Sequence, residues 1–155
     1  MIINTYRLFQ NGENLPYLAK ESEHLYRDVE LNSPEEITKM LNTLFNFKNL
    51  AEEYAYMLCF NTKFKLIAVF EITHGVVNAA LLRSREVYIR AAISGAACIV
   101  VAHNHPSGVS RPSIEDYEVC KNLKEAGEVM QIKLVDFLVI GETTYSVLLD
   151  KEISN

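Results

Sequence analysis

Ala96-Ala97-Cys98-Ile99-Val100-Val101-Ala102-His103-Asn104-His105-Pro106 is the stretch whose reading decides the fold. Its unbroken apolar run suits a strand buried on both faces. If that strand continues to His105, its period of two puts both imidazoles on the same side at the exposed end. Pro106 stops the pairing, and a short loop, Ser107-Gly108-Val109-Ser110-Arg111, leads to Pro112. Ser113-Ile114-Glu115-Asp116 then opens a helix with the serine-x-x-acid spacing of an N-terminal cap. The loop is short enough for Asp116 to swing back beside the histidines. Each residue has a plainer reading by itself: Ser113 as a cap, Asp116 as a first-turn acid, the histidine pair as a surface feature. Their convergence on one strand-loop-helix corner favours a metal. Two nitrogens and one carboxylate oxygen, with a fourth position free, form the ligand set of a catalytic zinc site, so one Zn2+ is expected on His103, His105 and Asp116.

Working outward, Ser33-Pro34-Glu35-Glu36 combines a capping box with proline at the first helical position. Ile37, Met40, Leu41, Leu44 and Phe45 follow as one amphipathic stripe, which reads as core. A hairpin is expected next, its first strand running through Tyr54 to Phe60 and its second from Phe64 to about Phe70, around an Asn61-Thr62-Lys63 turn. Gly75 reads as a bend, His74 as a loop histidine, and Val76 and Val77 as the start of a third strand. A helix from Ser84 to Ser94, with Ser84 as N-cap, ends at Gly95. The helix opened by Ser113 carries Tyr117, Cys120, Leu123 and Ala126 on one face and is expected to stop near Gly127. Strands from Ile132 to Ile140 and from Thr143 to Leu149 finish the chain around a Gly141 turn. The order predicts an α/β fold, a mixed β-sheet sandwiched by helices.

Residues 1–32 are the least readable and are set apart as an N-terminal extension of unclear role, ahead of a domain over 33–155. Ile2, Ile3, Tyr6, Leu8 and Phe9 suggest a short strand before the Asn11-Gly12 turn. The charged stretch after it, with His24 among Glu21, Glu23 and Asp28, reads as a solvated polar face.

A chain of 155 residues has room for one domain with a proper core. The net charge of -5 supplies no bulk attraction for phosphate backbones, although Arg83, Arg85 and Arg90 lie close together. Cys59, Cys98 and Cys120 are odd in number and widely spaced in apolar surroundings, which predicts buried reduced thiols. No leader pattern or membrane-length apolar run is present. A soluble cytoplasmic protein without membrane association is the expectation.

His103-Asn104-His105-Pro106-Ser107-Gly108, continuing to Pro112-Ser113 and Asp116, resembles the JAB/MPN metalloprotease motif in its bacterial RadC-type version. The similarity extends from about Ser33 to the C-terminus. Glu53-Tyr54-Ala55-Tyr56-Met57-Leu58-Cys59-Phe60-Asn61 resembles the family's glutamate-led strand. Arg85-Glu86-Val87-Tyr88 resembles its helix start, and Val135-Asp136-Phe137-Leu138-Val139-Ile140-Gly141 its late strand. The resemblance implies a JAB/MPN, cytidine deaminase-like architecture. It also implies zinc-dependent hydrolysis of a peptide or isopeptide bond in a peptide or protein substrate. In that chemistry a zinc with three protein ligands brings the pKa of water down to near 7, and a carboxylate carries the proton. By resemblance that carboxylate is Glu53, with Glu52 and Glu86 as competitors. The Ser113 hydroxyl is implied to stabilise an oxyanion. No Gly-x-Ser-x-Gly elbow supports a serine nucleophile.

Two positions depart from the family pattern. Ser84 stands where proline often precedes Arg85-Glu86, and Phe137 follows Asp136 where histidine is usual. The second removes a polar partner beside the metal corner. RadC-type proteins often carry a helix-hairpin-helix module ahead of this domain, and the chain is expected to lack that route to DNA. Two alternative functions stay open: an enzyme or accessory of DNA metabolism, from the repair association of the RadC-type name, and a catalytically silent binding scaffold. Retention of His103, His105, Asp116 and Ser113 argues against silence. The sequence names neither a substrate nor an oligomeric state.

Overall fold

The apolar run is strand β5 (Cys98–Asn104), which sits inside an eight-stranded sheet in this computed structural model, described over residues 1–75 and 82–154. On one side β5 pairs antiparallel with β3 (Glu53–Phe60), and on the other it pairs parallel with β6 (Lys133–Ile140). The parallel step needs a crossover, which α3 (Ile114–Met130) supplies. The remaining elements are β1 (Ile2–Gln10), β2 (Pro16–Leu25), α1 (Pro34–Phe45), β4 (Leu66–Gly75), α2 (Ser84–Ile93), β7 (Thr144–Ser146) and β8 (Lys151–Ile153). Across the sheet the order is β2-β1-β4-β3-β5-β6-β7-β8.

Alternation along β5 builds two cores. Ile99 and Val101 pack with Val87, Tyr88 and Ala91 of α2 and Val119, Cys120 and Leu123 of α3. Val100 and Ala102 face the opposite way, into the layer that holds Ile37, Met40 and Leu41 of α1. Helices therefore cover both faces, as expected from the order of elements. His103 continues the parity of Ile99 and Val101, which points it into the α2/α3 layer. The register of β6 slips between Leu134 and Asp136, which lets Leu134 and Phe137 serve the same core despite their odd spacing.

Helix α1 begins at Ser33, which accepts from the Glu36 amide with proline next in line, but only this half of the expected capping box forms, because the Glu36 carboxylate pairs with Arg27 and Lys39. Several boundaries differ from expectation. Strand β4 runs to Gly75 rather than ending near Phe70, because β3 pairs with it along its whole length, Glu53 opposite Gly75. The expected strand at Val76 and Val77 lies outside the described residues. Ser84 does not cap α2: Arg83 occupies the N-cap position without a side-chain bond, and the Ser84 hydroxyl donates to the Asn122 carbonyl of α3 instead. The last expected strand is cut to Thr144–Ser146 because the buried Asp136 carboxylate accepts from Ser146 Oγ at 2.6 Å and the Leu148 amide at 3.3 Å, and the chain turns there.

Residues 1–32 form a β1–β2 hairpin closed over Asn11, whose side chain accepts from the Glu13 and Leu15 amides. Strand β1 joins the sheet beside β4 in parallel, Thr5 opposite Val69, and Ile3 and Leu31 are buried in the α1-side core. Strand β2 was not expected. It lies at the edge of the sheet, and none of its residues is fully buried.

Helix α3 passes through Gly127 and continues to Met130, ending on Gln131 in the left-handed region (φ 56°). Gly127 is there for closeness. A Cβ on it would lie 2.4 Å from Tyr88 Oη and 2.7 Å from the Ile132 carbonyl oxygen. Tyr88 in turn donates to the Leu123 carbonyl at 2.8 Å, which ties α2 to α3. On the α3 face Val119, Cys120 and Leu123 are buried, whereas Tyr117 is 45% exposed and belongs to the surface. Alanine in a free helix interior is worth about 1 kcal/mol more than glycine. At this position the sign should reverse: Gly127→Ala is expected to lower stability by about 2 kcal/mol in denaturant unfolding.

Candidate metal centre

His103 is the penultimate residue of β5, across from Ala55 of β3 and beside Val139 of β6. The strand geometry persists one step further, since the His105 amide donates to the Ile140 carbonyl at 2.8 Å. Both imidazoles therefore leave the same face, their ring centroids 4.8 Å apart. After Pro106 the chain turns back at Gly108 (φ +80°), whose amide donates to the His105 carbonyl. The Gly108 carbonyl accepts from the Glu142 amide at 2.8 Å. This close packing needs the other glycine: a Cβ on Gly141 would stand 2.2 Å from the Gly108 oxygen. The loop is thus pressed onto the β6–β7 turn, and α3 starts with its N-terminus over the end of β5.

Ser113 and Asp116 form a reciprocal capping box. The Ser113 hydroxyl accepts from the Asp116 amide at 3.1 Å, and Asp116 Oδ2 accepts from the Ser113 amide at 2.6 Å. The Ser113 hydroxyl also donates to Oδ2 at 2.7 Å. With Oδ2 occupied by Ser113, Oδ1 lies 3.0 Å from His103 Nε2, while His105 Nε2 stands 3.5 Å from Oδ2. One donor atom each from His103, His105 and Asp116 falls within 4.8 Å of the others, so the three can bind a metal ion together.

Two observations test the fit. Buried His103 has no partner on Nδ1, and its Nε2 faces only the Asp116 carboxylate, 3.0 Å away, as the nitrogen a shared ion would take. His105 Nδ1 bonds to the Val109 carbonyl at 2.8 Å; as its donor it leaves Nε2 as the lone-pair nitrogen on the side of Asp116. These residues fit a metal. Phe137, wholly buried with its ring 5.4 Å from that of His103, offers hydrocarbon where a polar neighbour would serve a ligand.

The three candidate glutamates differ in their surroundings. Glu52 is paired with His74, and Glu86 with Arg85 and Arg90 along α2. The β3–β5 ladder ends with Ala55 opposite His103, and Glu53 lies two residues further along β3, on the face of Ala55 and His103. Its negative charge is among the influences that raise the His105 imidazole.

Asp116 is only 3% exposed, and burial pushes its carboxyl up; the imidazoles of His103 and His105 and the Ser113 hydroxyl outweigh that and hold it well below the usual carboxylate range. His105 is raised above its ordinary value, first by its contact with Asp116, then, against the opposing effect of burial, by the Val109 carbonyl.

In the sequence Asn104 is simply the residue between His103 and His105. It is buried, and its amide spans to β3: Oδ1 accepts from the Tyr54 amide at 2.7 Å and Nδ2 donates to the Glu52 carbonyl at 2.9 Å. A short polar residue closing an apolar strand was the one available signal.

The chain matches the RadC-like JAB domain family over residues 31–153. It is 35% identical over 121 residues to a UPF0758 protein of Alkaliphilus metalliredigens, covering 78% of this chain and 51% of that protein. A UPF0758 protein of Clostridium perfringens is 35% identical over 125 residues, covering 81% of this chain and 54% of the relative. One from Caldanaerobacter subterraneus is 38% identical over 112 residues, covering 72% and 47%. The chain thus spans about half the length of these curated relatives.

The raised His105 gives the chelator-treated protein a pH signature. A group whose folded pKa exceeds its unfolded value of 6.5 contributes fully below 6.5, and that contribution is lost as pH rises through the folded value. Asp116, depressed, contributes a constant amount over the same window and loses it only in acid. The thermal stability of the chelated protein is therefore expected to fall as pH rises above about 6.5, and His105→Gln should flatten that slope. Added zinc should reverse the sign, because a ligand histidine must be neutral. An equally steep slope in His105→Gln would assign it to other groups.

Proposed function

This chain belongs to the RadC-like JAB domain family, and on that premise we propose that it is a zinc-dependent hydrolase of peptide or isopeptide bonds. The observation that carries the reading is the buried corner itself: two imidazoles and one carboxylate whose donor atoms lie within 4.8 Å of one another, with a second carboxylate, Glu53, on the adjoining strand. His103, His105 and Asp116 would hold one zinc ion, three protein ligands being the number that leaves a position open. Bound there, zinc supplies Lewis acidity, lowering the pKa of water toward neutrality and polarising a carbonyl.

The rest falls to side chains of this chain. Glu53 takes the proton from the attacking water and returns it to the leaving amine, a shuttle suited to a half-exposed carboxylate beside the ligands. Ser113 is exposed, at the mouth of the corner, and its hydroxyl donates to Asp116 Oδ2. In turnover it rotates toward the oxyanion and stabilises it as a donor. Asp116, held well below the usual carboxylate range by His103, His105 and Ser113, enters the site as a carboxylate. We place the protein in the cytoplasm, where its free cysteines Cys59, Cys98 and Cys120 stay reduced. Among the described residues no helix is long and apolar enough to cross a membrane.

Metal analysis and a panel of peptide and isopeptide substrates test the proposal. His103→Ala and His105→Ala should each lose stoichiometric zinc with the fold intact. Glu53→Gln should keep zinc and lose at least about a hundredfold in turnover. Ser113→Ala should turn over more slowly and lose about 1 kcal/mol of stability with its cap. Wild-type protein that stays metal-free after zinc reconstitution would overturn the site, and metal-dependent cleavage of labelled DNA with no peptide turnover would favour the DNA reading. Near-normal turnover in Glu53→Gln would remove that residue from the mechanism.

A further inference from the structure

We propose that Asn104 is a positioning residue that holds Glu53 over the histidine-aspartate corner by clamping the peptide groups on both sides of it. The inference rests on the acid/base reading of Glu53 given above. The ordinary β3–β5 ladder runs from Phe60 opposite Cys98 to Ala55 opposite His103. At that end of the ladder the Asn104 side chain bonds to β3. Its Oδ1 accepts from the Tyr54 amide at 2.7 Å, which belongs to the peptide group following Glu53. Its Nδ2 donates to the Glu52 carbonyl at 2.9 Å, which belongs to the peptide group preceding Glu53, and reaches the Leu50 carbonyl at 3.5 Å. Holding the planes on both sides of one Cα limits its φ and ψ, and so the direction in which its side chain leaves the strand.

The residue type is telling. Val100 and Ala102 fill the same face of β5 with hydrocarbon, and Asn104 alone places a primary amide there, fully buried. A buried amide is costly unless its groups are satisfied, and here both ends of the amide are used on the segment that carries Glu53. Asn104 is also covalently joined to His103 and His105, so the amide that sets Glu53 moves with two ligands. A mispositioning of about 1 Å at a catalytic group is enough to cost rate, which gives such a link a purpose beyond strand pairing.

The test uses cobalt(II), whose visible bands report ionisation at the metal centre without any substrate. Hydrogen exchange on the wild-type protein should first show the Tyr54 amide strongly protected; exchange at the rate of an unstructured amide would overturn the clamp. In cobalt-loaded protein, Glu53→Gln removes a negative charge near the centre and should move the midpoint of the spectral titration down by about one pH unit. Asn104→Ala should retain one cobalt per chain and move the midpoint in the same direction. The double variant should shift no further than Glu53→Gln, because the two changes act through one carboxylate. A wild-type midpoint in Asn104→Ala, or additive shifts in the double variant, would overturn the positioning role while leaving the functional reading in place. No shift in Glu53→Gln would overturn the acid/base reading of Glu53, and the proposal with it. If Asn104→Ala fails to fold, the exchange of the wild-type Tyr54 amide decides.

Discussion

A single buried carboxylate holds this corner of the molecule together. Asp116 satisfies the free amide at the start of α3 with one oxygen and turns the other toward His103. A charge so deeply buried is expensive unless it is compensated, and here the compensation is local: a backbone amide, a hydroxyl, the helix N-terminus and two imidazoles. The helix start is therefore tied to the strand end. Loss of the carboxylate would release the cap and the contacts to both histidines together, so structure and chemistry at this corner share one group.

The sheet gives that corner its precision. Strand β5 is paired on both sides, and its two faces are buried under different helices. A one-residue slip would exchange the residues of the two cores and point both histidines into the α1 layer, a cost that secures the register. The loop after β5 gains its own constraint from the contact of Gly108 with Gly141, where any side chain at Gly141 would collide with backbone. Rigid strand, pressed loop and capped helix together bring three donors within reach of one ion, as a preorganised site requires.

Much of this was legible in the chain. The period-two run ending in His103 and His105, the Ser113-x-x-Asp116 spacing and the Ser33 cap are local patterns, and local patterns survive folding. The boundaries that moved were decided by distant partners. Helix α3 runs past Gly127 because that glycine lets Tyr88 of α2 sit against it, and Ser84 leaves its own helix to reach Asn122. Strand β2 carried no strong signal because an edge strand with a polar face has no apolar alternation to read.

The sequence by itself determined the candidate donor types, their shared face on β5 and the helix that returns Asp116 to them, since each depends on spacings of a few residues. Only the tertiary structure gave the glutamates their different surroundings. Glu52 and Glu53 are neighbours in a chain that says little about their directions, and it is the pairing of β3 with β4 and β5 that sends one toward His74 and the other to the side of His105. The same pairing gave Asn104 its partners on β3. Those contacts join residues some fifty positions apart, and no local spacing encodes them.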